Sequence, residues 1–150
     1  MMDHIKDLIL RGSFEDAKNK LSSLTISEIQ TILFTLAFDG GNMCSYAFVC
    51  FLLQKEEVLA WHLFATKLLR ILSFHWGGAY QTSLYHAQRV LCLSGDDDFA
   101  IQNACRFFEE DLRRFINDMN ALSVALELQK KDPESRIIKD FLEKKCNFRL

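Results

Sequence analysis

The sequence has few of the residues that interrupt helices. Its 150 residues include one proline and six glycines. Sandwiches and barrels built from many short strands need more turn residues than this, so an all-β fold is disfavoured. The shortage of helix-breaking residues therefore favours a helical fold.

Long apolar runs are also absent. The most apolar region, Ile26–Leu53, is interrupted by Asp39-Gly40-Gly41-Asn42. Neither half reaches the ~20 apolar residues that a membrane span requires. The N-terminal segment lacks the charged-then-apolar pattern of a signal peptide. We therefore expect a soluble cytoplasmic protein that has no membrane partner.

The sequence contains no established catalytic or cofactor motif. H-E-x-x-H, G-x-S-x-G and a Walker-type glycine loop are all missing, and none of the five cysteines has C-x-x-C spacing. His62 falls on an apolar helical stripe, which is typical of a core histidine. We predict a protein that is not an enzyme and has no cofactor or metal. An unrecognised site around His75, His86 and Tyr80 is the enzymatic alternative.

Charge gives little information about the partner. The net charge is −2, whereas a general nucleic-acid binder normally presents a basic face. We therefore expect no direct contact with nucleic acid. No part of the chain is strongly polarised, so the charge is only a weak indication of the type of partner.

Helix signals recur along the chain. Thr25 and Glu28 form a capping-box pattern that predicts a helix running to about Phe38. The longest predicted helix covers Lys55–Phe74, and short connections predict antiparallel neighbours. The pattern predicts an all-α fold of about eight helices in antiparallel hairpins, forming a single domain over residues 1–150. In the Thr25–Phe38 helix, the expected buried positions are Ile29, Ile32, Leu33, Leu36 and Ala37.

The segment Phe74–Phe99 is central to the predicted fold. A Gly-Gly turn leads into a helix over Gly78–Ser94, which is followed by consecutive aspartates. Apolar residues at helical spacing predict one buried face on this helix. The opposite face carries Tyr85, Gln88, Arg89 and Cys92.

A weak internal repeat is present. Val90–Asp98 aligns with Ala125–Pro133 at an offset of 35 residues, close to the tetratricopeptide period of about 34. The segment beginning at Gly78 is similar to that repeat's helix-turn-helix, although the W-x-x-L-G-x-x-Y opening is absent. The similarity implies tetratricopeptide-like hairpins or a short α-solenoid. A chance match between two amphipathic helices is the alternative.

The whole chain resembles the small all-helical immunity proteins of bacterial toxin systems, including contact-dependent growth inhibition. The likeness consists of the size, the helical hairpins and the GAYQTSLYHAQRVL helix before an acidic turn. The resemblance implies stoichiometric binding of a cognate toxin, for example a nuclease. A helical-repeat adaptor that binds a peptide or host factor is the alternative, and a groove with basic lining would favour it.

Candidate partner-binding residues are aromatic or charged. Aromatic side chains and arginine are enriched at interface hot spots, and acidic clusters can steer a basic partner. We expect Tyr85 to be the most exposed of the candidate aromatic residues. The candidates are Trp76, Tyr80, Tyr85, Arg89, Asp96, Asp97, Asp98, Glu109, Glu110 and Asp111.

Overall fold

The computed structural model describes residues 1–106 and 118–147. These residues form nine helices and no strand, which confirms the predicted all-α fold. The tetratricopeptide-like arrangement stays a prediction. The helices are α1 (Met2–Leu10), α2 (Phe14–Leu21), α3 (Ile26–Phe38), α4 (Cys44–Lys55), α5 (Leu59–Leu72), α6 (Ala79–Ser94), α7 (Asp98–Arg106), α8 (Met119–Lys131) and α9 (Arg136–Asn147).

The chain forms two compact units, Met1–Ser83 and Leu84–Leu150. The boundary falls inside α6, so this helix contributes residues to both units. The prediction that residues 1–150 fold as one domain stays a prediction. Each unit is described below by itself.

The first unit packs α1–α5 around an aromatic and aliphatic core. α4 contacts α1, α2, α3 and α5, so it is the central helix of the unit. Phe48 of α4 is fully buried and meets Phe14 edge-on, with ring centroids 5.4 Å apart. Phe34 of α3 packs edge-on against Phe64 of α5 at 4.7 Å. All five positions predicted for the buried face of α3 are buried.

The capping box that opens α3 is formed as predicted. The Thr25 hydroxyl accepts a hydrogen bond from the Glu28 backbone N–H, and the Glu28 carboxylate accepts one from the Thr25 backbone N–H. The Thr25 backbone N–H and the Thr25 hydroxyl both donate to the Glu28 carboxylate, and these two bonds hold the pKa of Glu28 below its usual range. The box explains why α3 begins at Ile26.

The predicted helix over Lys55–Phe74 is wrong at both ends. α4 continues to Lys55, three residues are non-helical, and α5 begins only at Leu59. Glu56 and Val58 have extended backbones. The intervening Glu57 places its carboxylate 3.0 Å from Nε2 of the buried His62. α5 ends at Leu72, so Phe74 lies beyond the helix, and α6 is longer than α5.

The second unit contains the larger part of α6 together with α7, α8 and α9. α7, α8 and α9 pack against one another. Asp118 caps α8, its carboxylate accepting hydrogen bonds from the backbone N–H groups of Asn120 and Ala121. The buried apolar side chains of this unit include Leu84, Ala87, Val90, Ala100, Ile101, Val124, Ala125, Leu128, Ile138 and Phe141.

Candidate functional site

Three large aromatic side chains are exposed at one end of the first unit. Phe38, at the end of α3, is 67% exposed; Phe74 and Trp76, which follow α5, are 86% and 49% exposed. Because the Trp76 indole N–H donates to the Gly41 carbonyl, the segment after α5 lies against the loop after α3. We call Phe38, Phe74 and Trp76 the aromatic surface.

Gly41 allows this close approach. Its φ is +67°, and an added Cβ would lie 2.5 Å from atoms of the His75 ring. Only glycine adopts that backbone conformation readily and leaves room for the imidazole. The absence of a side chain at Gly41 therefore permits contact between the loop after α3 and the segment carrying Phe74 and Trp76. The Trp76 hydrogen bond holds the two segments together.

The second unit contains a groove between α6 and α8. α6 contributes the face predicted from its spacing, and α8 contributes residues that also share one face. The cavity volume is about 440 Å³. We call this feature the groove. Its lining is Tyr85, Gln88, Arg89, Leu91, Cys92, Ser123, Val124, Glu127 and Lys131.

The groove has an apolar floor and polar walls. Val124 is buried and Leu91 is half-buried, whereas Tyr85 is 54% exposed. The exposure of Tyr85 agrees with the sequence-based expectation. Its ring meets the buried His86 edge-on, with centroids 5.1 Å apart. Tyr85 therefore presents a large aromatic side chain whose position is supported from within the same helix.

The groove is lined by charged side chains of both signs. The Lys131 ammonium donates to the Gly95 carbonyl at 2.7 Å. The carboxylate of Glu127 is bonded to Lys130 at 2.8 Å. Arg89 is half-buried in the lining. The lining thus contains Arg89, Lys131 and Glu127, and the exposed Asp96 directly follows Gly95, to which Lys131 is bonded.

The predicted acidic turn is exposed and has a structural role. Asp96, Asp97 and Asp98 are all exposed. The Asp97 carboxylate accepts a hydrogen bond from the Ala100 backbone N–H at 3.1 Å and so caps α7. Asp98 lies in the first turn of α7, where a negative charge is favourable. The other predicted acidic cluster, Glu109, Glu110 and Asp111, lies outside the described residues.

The remaining predicted residues are distributed between the units. Trp76 and Tyr80 belong to the first unit, whereas Tyr85, Arg89 and the three aspartates belong to the second. Tyr80 is half-buried, and its carbonyl accepts a hydrogen bond from the Ser83 hydroxyl at 2.7 Å.

The histidines have different environments. His62 is buried, as predicted, and it lies beside Glu57. His75 is exposed and covers Gly41, and His86 is buried in the second unit. None of the three lines the groove. Within residues 1–106 and 118–147, no group of three or more His, Cys, Asp and Glu side chains is arranged to hold a metal ion.

Sequence reasoning missed part of both surfaces. Phe38 lies off the buried stripe of α3 and directly before Asp39-Gly40-Gly41, a position from which its exposure could have been predicted. Phe74 was placed inside a helix that ends earlier. The α8 face of the groove carried no local signal, because its residues line a groove only together with the face of α6.

Comparison of the chain with protein-family models, curated proteins and solved structures gave no match. In the part of the chain that the structure describes, every helix is too short or too polar to cross a membrane.

Proposed function

We propose that this chain is a protein-binding domain that acts by occupying a partner's surface. The observation that carries the proposal is the aromatic surface. Large aromatic side chains contribute most strongly to binding at interfaces, where burial removes their area from water. Phe74, at 86% exposed, contributes little to the folded core, so its apolar area remains available to a partner.

The form of binding that we propose first is stoichiometric inhibition of a toxin. The resemblance to immunity proteins suggests it, and the exposed aspartates at 96–98 could attract a basic toxin domain, for example a nuclease. Opposite charges on the two sides of an interface raise the association rate, and this electrostatic effect becomes weaker as the salt concentration increases. The chain itself would perform no reaction, since blocking the toxin's surface is sufficient.

The test is to purify the chain with the toxin domain encoded beside its gene and to measure binding by calorimetry and protection of cells by co-expression. We expect one-to-one binding that Phe74→Ala and Trp76→Ala weaken by at least about fivefold each, the effect of losing a hot-spot side chain. Ile26→Ala is the matched control, because Ile26 is 58% exposed at the opposite end of α3 from Phe38. Absence of binding, or equal losses in all three variants, would contradict the proposal.

The second candidate is an adaptor that binds a peptide from another protein. The observation that favours it is the groove, whose lining contains Arg89 and Lys131 together with Glu127. An adaptor would bind a segment rather than a folded toxin domain. Titration with isolated peptides separates the two candidates, because an inhibitor that recognises a folded domain gains little from a short segment.

A further inference from the structure

The connection between α4 and α5 is short and lacks the residues that usually separate two helices. α4 ends at Lys55 and α5 begins at Leu59, so only residues 56–58 lie between them. The residue that follows α4 is Glu56, and the residue that precedes α5 is Val58. Glycine is the usual residue after a helix, and valine is among the poorest residues before one. Local sequence therefore favours continuation of α4 through the connection into α5.

The buried side chains of α4 and α5 share one helical register. Phe48 of α4 and His62 of α5 are both buried and are 14 residues apart in sequence. Leu52 and Thr66 are also buried and have the same separation. Because seven residues make about two helical turns, one helix over residues 44–72 would carry these side chains on a single face. The buried face of α4 would thus continue directly into that of α5.

A carboxylate in the connection contacts a buried imidazole of α5. Oε1 of Glu57 lies 3.0 Å from Nε2 of His62, which is 2% exposed. In a continuous helix these two residues would be five positions apart and about 140° apart around the helix axis. Their side chains would then point in different directions. The contact between Glu57 and His62 therefore stabilises the interrupted form and is lost in the continuous form.

A continuous helix would leave the place of α5 empty. In the first unit α5 packs against both α3 and α4, and a continuous helix would carry α5 away from both. The α5 of a second copy has the side chains that fit this place, since they are the same side chains. Two copies that exchange α5 therefore restore each other's cores, and the exchange closes with two-fold symmetry. The buried side chains that would be exchanged include Phe64, Ala65, Leu68, Leu69 and Leu72.

We propose that residues 56–58 form a hinge at which two copies of this chain exchange α5, and that residues 44–72 become one helix in the resulting dimer. The contact between Glu57 and His62 holds the hinge closed in the monomer. This inference goes beyond the proposed binding function and does not depend on it.

The experiment refolds the full chain from urea at a series of protein concentrations and measures the dimer fraction by size-exclusion chromatography with light scattering. The dimer fraction of the unsubstituted chain should rise with concentration. Glu57→Ala should raise the dimerisation constant at least about tenfold, because the exchange then no longer breaks a hydrogen bond to a charged group in each chain. Glu56→Ala is the matched control. Glu56 is exposed beside Glu57, and its substitution makes the same change in helix propensity but keeps the contact with His62, so it should alter the constant by less than about twofold.

A proline variant tests the continuous helix without altering Glu57. Leu59 is the first residue of α5, a position where proline is well accepted. Val58 before it has φ −122° and ψ 134°, which is the conformation that proline favours in the preceding residue. In the interior of a continuous helix the same proline would break the hydrogen-bond pattern, so Leu59→Pro should abolish the dimer. Because Leu59 is half-buried, Leu59→Ala controls for the lost side chain and should still dimerise.

Hydrogen exchange distinguishes exchange of α5 from simple association of two surfaces. In a continuous helix the amides of Glu57 and Val58 bond to the carbonyls four residues earlier, so both should exchange more slowly in the isolated dimer than in the monomer. Equal dimerisation constants in Glu57→Ala and Glu56→Ala, a dimer in Leu59→Pro, unchanged exchange at these amides, or no dimer in any variant would overturn the inference. A dimer that Phe74→Ala abolishes, with unchanged exchange at these amides, would place the contact at the aromatic surface and would also overturn it.

Discussion

Phe64 within α5 and Phe74 after it allow one chemical change, Phe to Ala, to test which aromatic side chains stabilise the fold and which are available for binding. Phe64 is 2% exposed and packs against Phe34 at 4.7 Å and Trp61 at 6.0 Å. Phe74, ten residues later, is 86% exposed. Substitution of each by alanine removes the same atoms from opposite environments.

The expected losses of stability differ severalfold. Phe74 buries only 14% of its surface, the complement of its 86% exposure. For a side chain of roughly 200 Å² this is about 30 Å², worth about 0.7 kcal/mol at 25 cal/mol per Å². Phe64→Ala removes a fully packed ring and leaves a cavity, which costs about 3–5 kcal/mol.

The assay is urea unfolding monitored by tryptophan fluorescence. Both tryptophans, Trp61 and Trp76, belong to the first unit, so the signal reports on the unit that carries the substitutions. We expect Phe64→Ala to shift the midpoint strongly with an unchanged m-value, and Phe74→Ala to shift it slightly. A loss above about 2 kcal/mol for Phe74→Ala would refute the reasoning, because it would place that ring inside the packed structure.

Other predictions concern single contacts. Thr25→Ala should destabilise the first unit by about 1 kcal/mol, since α3 loses its capping oxygen; an unchanged urea midpoint would contradict this. Gly41→Ala should lower the free energy of unfolding by more than about 1 kcal/mol, because the φ of Gly41 is positive and the new Cβ would meet the His75 ring. Adding His75→Ala, which removes that ring, should restore part of the lost stability, as measured by thermal unfolding. Burial raises the pKa of the Cys50 thiol, so at pH 8 iodoacetamide should label Cys50 more slowly than the exposed Cys92, as measured by peptide mass spectrometry; equal rates would argue against the burial.

Much of the helical framework could be predicted because its signals are local. The capping box at Thr25 and the apolar spacing that follows it depend only on residues within α3, and the structure contains both. The face of α6 that carries Tyr85 and Arg89 was predicted from spacing in the same way. Periodicity identifies which side of a helix is polar without reference to its neighbours.

The break between α4 and α5 could not be predicted in that way. Residues 55–58 contain no glycine or proline, and lysine and glutamate favour helices. The extended backbones at Glu56 and Val58 accompany the packing of α5 against α3 and α4 and the contact between Glu57 and His62. Tertiary packing therefore overrides local preference here, and a single sequence gives no indication of it.

The candidate surfaces were likewise predictable only in their local parts. Each surface combines residues distant in sequence: Phe38 with Trp76 through the Gly41 hydrogen bond, and the faces of α6 and α8 in the groove. Spacing within one helix can identify only half of such a site. Phe74 and the α8 residues were missed, and only Phe74 is of the aromatic type that identified Trp76 and Tyr85.

Exposure and stability together indicate which of these residues serve binding. Phe74 is expected to add less than about 1 kcal/mol to the free energy of unfolding. Its apolar area therefore faces water without stabilising the fold. Trp76 and Lys131 differ, because each also makes a hydrogen bond to a backbone carbonyl that holds a loop in place. For these two residues a loss of binding must be compared with a loss of stability. Phe38, Phe74 and Tyr85, whose side chains are more than half exposed, offer variants in which the two effects separate.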